Sequence, residues 1–135
     1  MRNKNSSLLF RWFQEVWNNS NETVIHELVA DDAIAHGITD ENKHKGPEGF
    51  KTFYESFRSK FSNIMVTVED VISEDDFEAG RCKVKARHIE SGKQVEFDGI
   101  CMIRIKNGKI EEAWNSFDFL KMHDQLGFKL VLAQA

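Results

Sequence analysis

The apolar residues of this chain change their rhythm once, near residue 62, and that change limits the folds open to it. Before it they recur every three or four positions. Leu9, Phe13, Val16 and Trp17 fall on one stripe, which predicts a helix over residues 7–18. Asn18-Asn19-Ser20-Asn21 breaks it, with Ser20 or Asn21 placed to cap a second short helix that runs to about Val29 and ends at Asp31-Asp32. Ala33 to Gly37 reads as a short extended piece. Gly46-Pro47-Glu48 opens a third helix, because proline and an acid are both favoured in a first turn. Its stripe of Phe50, Phe53, Tyr54, Phe57 and Phe61 reads as core packing, and five aromatics on one face call for a sheet to cover.

After residue 62 the period is two. Strands are predicted over Ile64 to Ile72, Phe77 to Ile89, Val95 to Ile105 and Ile110 to Phe117. Glu74-Asp75-Asp76 and Ser91-Gly92 are turns, and Asn107-Gly108 is the strongest hairpin signal in the chain. Leu120 to Leu126 is a final short helix, stopped by Gly127. Helices first and an antiparallel meander after argue an α+β fold, and 135 residues suit one domain. An antiparallel sheet curling around the aromatic helix makes a cone, filled at its closed side and leaving a pocket at its open side.

The net charge of −4 offers no attraction for nucleic acid or an anionic membrane. The one basic run, Arg81, Lys83, Lys85 and Arg87, alternates strictly and reads as the wet face of a strand. Cys82 and Cys101 sit in strand segments outside any CxxC pair. A reduced, cytoplasmic protein is the simplest reading, with a single disulfide as the alternative. The N-terminal stretch lacks the apolar core of a signal peptide, and no window reaches the roughly 18 apolar residues of a membrane span.

Three side chains are candidates for chemistry. Trp114, Ser116 and Asp118 share one face at period two, so Asp118 stands beside a large aromatic. A carboxylate against apolar walls has its charged form disfavoured, which suits it to acid/base work near neutral pH. The competing reading is a cap on the helix that follows. His88 lies on the apolar face of its strand with Cys82, Val84 and Ala86, as a satisfied core histidine or a donor to a substrate oxygen. His36 ends the short strand, as a surface turn residue or a loop-borne site residue. His36, Asp40, Glu41 and His44 match no standard metal spacing and read as a solvated loop. His26 and His123 receive no role. No glycine-rich phosphate loop and no GxSxG elbow is present.

The closing stretch Gly108-Lys109-Ile110-Glu111-Glu112-Ala113-Trp114, then Asp118, then Gln125-Leu126-Gly127, resembles the SnoaL-like polyketide cyclase group of the NTF2-like superfamily. His36-Gly37, Gly46-Pro47-Glu48-Gly49 and the strand Val66 to Ile72 are similar to further elements of that family. The resemblance covers about residues 8–128 and implies a cone-shaped α+β barrel, often a homodimer, with a deep pocket and no required cofactor or metal. It implies that Asp118 is the general acid/base, removing a proton α to a carbonyl before an intramolecular aldol closure. On this reading Trp114, Ser116, Phe53, Phe57, Trp17 and Arg104 line the pocket, and His36 or His88 donates to the enolate oxygen. The chain departs from the pattern at Ala86-Arg87-His88 with its short Ser91-Gly92 turn, at Ser62-Asn63-Ile64, and at Arg104 or Met102, which occupy the region of a second catalytic histidine. The expected function is acid/base catalysis (isomerisation, aldol cyclisation or hydration) on a small apolar or carbonyl-containing molecule. The alternatives are non-catalytic binding of an apolar metabolite and a dimerisation domain.

Overall fold

A computed structural model describes residues 4–38 and 45–133. Asp40, Glu41 and His44 of the polar loop lie outside the described residues. The chain runs α1 (Leu8–Trp12), a π-helical continuation (Phe13–Asn18), α2 (Thr23–Leu28), β1 (Val29–His36), α3 (Gly46–Lys60), β2 (Phe61–Glu74), β3 (Phe77–His88), β4 (Gln94–Lys106), β5 (Lys109–Phe117) and α4 (Phe119–Gln125). One five-stranded sheet has the order β1-β5-β4-β3-β2, with β1 parallel to β5 and every other pair antiparallel. Helices pack on its inner face. No described helix is long and apolar enough to cross a membrane.

Most differences from the sequence reading are local. The first helix widens into a π turn after Trp12, which brings Phe13, Val16 and Trp17 inward together with Leu9 and Trp12. Tyr54 Oη donates to the Val16 carbonyl at 2.9 Å inside this buried turn. Asp31-Asp32 does not end a helix. The chain is already extended at Val29 (φ −107°, ψ 128°), and both acids sit exposed within β1, where its register against β5 is interrupted. Phe61 is the first residue of β2 and not the last of the helix stripe, its φ of −130° and ψ of 138° being those of a strand. Asn107 and Gly108 both have positive φ (54° and 76°), as the tight turn between β4 and β5 requires.

Two side-chain amides complete the sheet where no strand is available. Asn18 meets Val66 on the edge strand β2, receiving its N–H at 2.7 Å and donating to its carbonyl at 2.9 Å. Gln125 does the same for Glu96, at 2.8 and 2.7 Å. Pairing between β5 and β4 stops at Phe117 and Gly99, so the start of β4 is left open on that side. The Gln125 carboxamide fills the gap and docks α4 there. The helix α1 is held in a comparable way. Its N-terminal Leu8 and Leu9 N–H groups donate to the buried carboxylate of Glu78 at 3.3 and 2.8 Å.

Candidate active site

The inner face of β5 is set by a β-bulge. Arg104 pairs with Glu112 but Ile105 pairs with Ile110, so Glu111 is an extra residue without a partner across the ladder. One added residue moves every later side chain to the opposite face. Ile110 points into the core, and after the bulge Ala113, Asn115 and Phe117 do so as well. Trp114, Ser116 and Asp118 therefore stand on the outer side. This corrects the expectation that Trp114, Ser116 and Arg104 line the pocket. The signal was in the sequence: Ile110-Glu111-Glu112-Ala113 places two acids between two apolar residues, where strict alternation admits one.

Asp118 is exposed, and its Oδ1 accepts the Lys121 N–H at 3.0 Å as the N-cap of α4. It does not stand against an apolar wall, although its neighbours Phe117 and Phe119 both face inward. Trp114 stacks on His36 with centroids 5.6 Å apart and planes 16° from parallel, and Phe77 lies 6.3 Å away on its other side. His36 Nε2 is 2.6 Å from Glu112 Oε2, while Glu112 Oε1 accepts from Arg104 Nη2 at 2.8 Å. The His36 hydrogen bond, reinforced by Arg104, holds the Glu112 carboxyl below the usual carboxylate range. Arg104 Nε is buried without a hydrogen-bond partner. His36, Arg104, Glu112 and Trp114 thus form one cluster on the outer face.

Inside the sheet, Trp12, Trp17, Phe50, Phe53, Phe57 and Phe117 line a cavity of about 60 Å³. Trp17 stands edge-on to Phe50, Phe53, Tyr54 and Phe57, at centroid distances of 6.0, 6.2, 4.9 and 5.7 Å. Gly99 makes room for the Phe117 ring, since a Cβ there would fall 2.1 Å from Phe117 Cδ1. Among the described residues no ionisable side chain lines this cavity. A second cavity of about 50 Å³ lies beside it, lined by Ala33, Ala35, Cys101, Ile103 and Ala113 among others. Asn115 borders both. Cys82 and Cys101 are free and buried, and burial pushes the Cys82 thiol up to about 12 and the Cys101 thiol higher still.

Ile38, Phe53, Phe57 and Phe119 border both the aromatic cavity and a wide mouth of about 820 Å³. His88, Lys60, Glu90 and His123 line that mouth. His88 Nδ1 accepts the Ser91 N–H at 3.3 Å and lies 2.8 Å from Ser91 Oγ, and the ring packs on Phe61 at 5.3 Å. An accepting Nδ1 places the proton of the neutral ring on Nε2, which has no partner among the described residues. The short Ser91-Gly92 turn orients this histidine through the Ser91 contacts. Among the described residues no cluster of His, Cys, Asp and Glu has the arrangement of a metal site.

Comparison with known proteins places the fold and the family. The model of the SnoaL-like polyketide cyclase family matches residues 7–126. No curated protein matches the chain. Among solved structures, wild-type IdmH of Streptomyces antibioticus, a candidate polyketide cyclase, is 27% identical over 88% of this chain and 96% of its own, with a TM-score of 0.76. A candidate polyketide cyclase from Bacillus cereus is 29% identical over 85% of this chain and 75% of its own, at a TM-score of 0.74. A Catenulispora acidiphila protein of ketosteroid isomerase-like fold, crystallised with trimethylamine, shares the fold at a TM-score of 0.79 and 14% identity, over 92% of this chain and 95% of its own. With an α+β, NTF2-like fold and a family match over nearly its whole length, the chain belongs to the SnoaL-like polyketide cyclase family.

Proposed function

We propose that this chain binds a small, uncharged, ring-bearing carbonyl compound and catalyses proton transfer on it without a cofactor. The observation that carries this reading is the aromatic cavity opening onto a mouth where His88 Nε2 is free. A flat apolar ring suits the cavity, because aromatic walls reward it and nothing there compensates an ion. The carbonyl then lies toward the mouth, where His88 donates from Nε2 to its oxygen and stabilises the enolate that forms when an α-proton leaves. The proton acceptor is a carboxylate at the rim. Glu90 lines the mouth, whereas Asp118, the residue that the family resemblance puts in this role, caps α4 outside it. Isomerisation and aldol cyclisation both begin with this step, and hydration of an α,β-unsaturated carbonyl reaches the same enolate after water adds at the β-carbon.

Hydrogen–deuterium exchange at the α-carbon of small aryl ketones, followed by NMR in D2O, tests the proposal. Exchange above the solvent rate is expected with the native chain and not with His88→Gln. Whichever of Glu90→Gln and Asp118→Asn also abolishes it identifies the base. Binding without exchange would favour a non-catalytic binding module, in keeping with a cavity whose lining among the described residues carries no acid or base.

We also propose that the chain is a homodimer through the outer sheet face. Ile100, Phe77, Met102 and Trp114 make an apolar patch there beside Arg104, Glu111 and Glu112, and a two-fold axis would set opposite charges against each other. Sedimentation equilibrium of Ile100→Asp against the native chain tests this, with a monomer expected for the variant alone.

A further inference from the structure

We infer that Asn115 selects ligands carrying a neutral hydroxyl, a phenol or an enol, over ethers and hydrocarbons of the same shape. The inference rests on the ring-binding reading of the aromatic cavity given above. Asn115 is on the inner face because of the bulge at Glu111, and it borders both interior cavities. Its Nδ2 donates to the His36 carbonyl at 3.0 Å. A carbonyl oxygen only accepts, so the carboxamide has one acceptable orientation, with Nδ2 toward His36 and Oδ1 turned away. The loop that presents His36 is held close. Gly37, at a φ of +86°, passes so near β5 that a Cβ would fall 2.0 Å from the Asn115 carbonyl oxygen.

Oδ1 has no hydrogen-bond partner among the described residues, and it is not sealed from access, the one sealed and unpartnered side-chain atom being Arg104 Nε. Among the described residues it is also the one side-chain oxygen on the lining of the two cavities. The indole N–H groups of Trp12 and Trp17 donate only. A ligand that ends in an ether or a methyl group leaves this acceptor dry and unpaired, whereas a hydroxyl satisfies it. An ionised phenolate has no hydrogen to give and meets the partial negative charge of Oδ1, so the neutral form is selected.

The test compares p-cresol with p-xylene, which share size and ring but differ in the donor. Isothermal titration of the native chain is expected to show p-cresol binding more tightly by roughly fivefold, the worth of one hydrogen bond formed in exchange for water. In Asn115→Leu that ratio should fall to about one or below, with p-xylene binding no more weakly than before. A ratio unaltered by the substitution overturns the inference and leaves the cavity reading standing. If neither compound binds the native chain, the cavity reading itself fails and the inference falls with it. Loss of the Nδ2 bond to His36 could unfold the variant, so a second measurement uses the native chain alone. The Asn115 carboxamide resonances should shift more with p-cresol than with p-xylene, and equal shifts would refute the selection.

Discussion

Replacing Ser116 by cysteine in one variant and Ala113 in another makes the two faces of β5 chemically distinguishable. The background is low, because both native thiols are buried. At pH 8 an exposed cysteine of ordinary pKa is roughly a quarter thiolate. Cys82, pushed up to about 12, is ionised in about one molecule in ten thousand, so it reacts some thousandfold more slowly before access is considered. Ser116 is exposed on the outer face, and Ala113 borders the cavity of about 50 Å³, which has room for a sulfur atom. With a bulky maleimide under native conditions, Ser116→Cys should label within minutes at low protein concentration. Ala113→Cys and the native chain should label only after unfolding. Protection of Ser116→Cys that grows with protein concentration would report the proposed dimer face. The reasoning fails if Ala113→Cys labels fast while Ser116→Cys stays silent at every concentration, since that outcome means no bulge and a pocket lined by Trp114.

Three other outcomes are expected. Gly99→Ala must displace a Phe117 ring 2.1 Å from the new Cβ, so urea unfolding should show a loss of about 1–3 kcal/mol where strand propensity alone would give a small gain. Glu78→Ala leaves the Leu8 and Leu9 N–H groups without their acceptor beneath α1 and should cost about 2–4 kcal/mol in the same assay, with Glu78→Gln well below that. Glu112 is held below its ordinary value of 4.5 by His36 first and then Arg104. Its contribution to stability is therefore full above that value and disappears as pH falls through the lowered folded one. Thermal unfolding of Glu112→Gln against the native chain should show a gap at pH 7 that closes below about pH 4.

The fold was legible because its signals are local and repeated. The change from helical spacing to alternation marked the α+β division, and Asn107-Gly108 and Ser91-Gly92 fixed two hairpins. Element ends moved wherever the backbone changed state without punctuation, as at Val29 and Phe61. The π turn after Trp12 left no mark, because Leu9, Phe13, Val16 and Trp17 fit an ordinary helical stripe equally well. Phe53, Phe57 and Trp17 line the aromatic cavity. The face of β5 was misread for one definite reason. Alternation counted forward from Ile110 crosses Glu111 without registering the extra residue, and every side chain after it changes sides. Asn115 was missed by the same slip, and no motif marks it.

The residues that make the family recognisable are, on this geometry, mostly builders of the frame. Gly37 passes over Asn115, and Gly46 lies so close to β1 that a Cβ would fall 2.2 Å from the Asp31 carbonyl oxygen. Asp118 caps α4, and Gln125 then ties that helix to the open start of β4. Trp114 and Glu112 stand outside, in the cluster with His36 and Arg104. The roles of Gly37, Gly46, Asp118 and Gln125 depend on backbone approach or on a terminal hydrogen bond, and both restrict the residue types allowed at one place. The cavity imposes a weaker demand. An aromatic wall tolerates exchange of one ring for another, and the hydrogen-bonding groups at Asn115 and His88 sit outside the motif altogether. A strong match to the closing motif therefore reports that the frame is intact, while ligand choice is free to vary inside it. Two chains of this family can share the tryptophan, the aspartate and the QLG triplet and still bind different molecules. On the binding reading proposed above, the places to change specificity are Asn115 and the rings around Trp17, where exchange of one ring for another should alter binding at the least cost to the core.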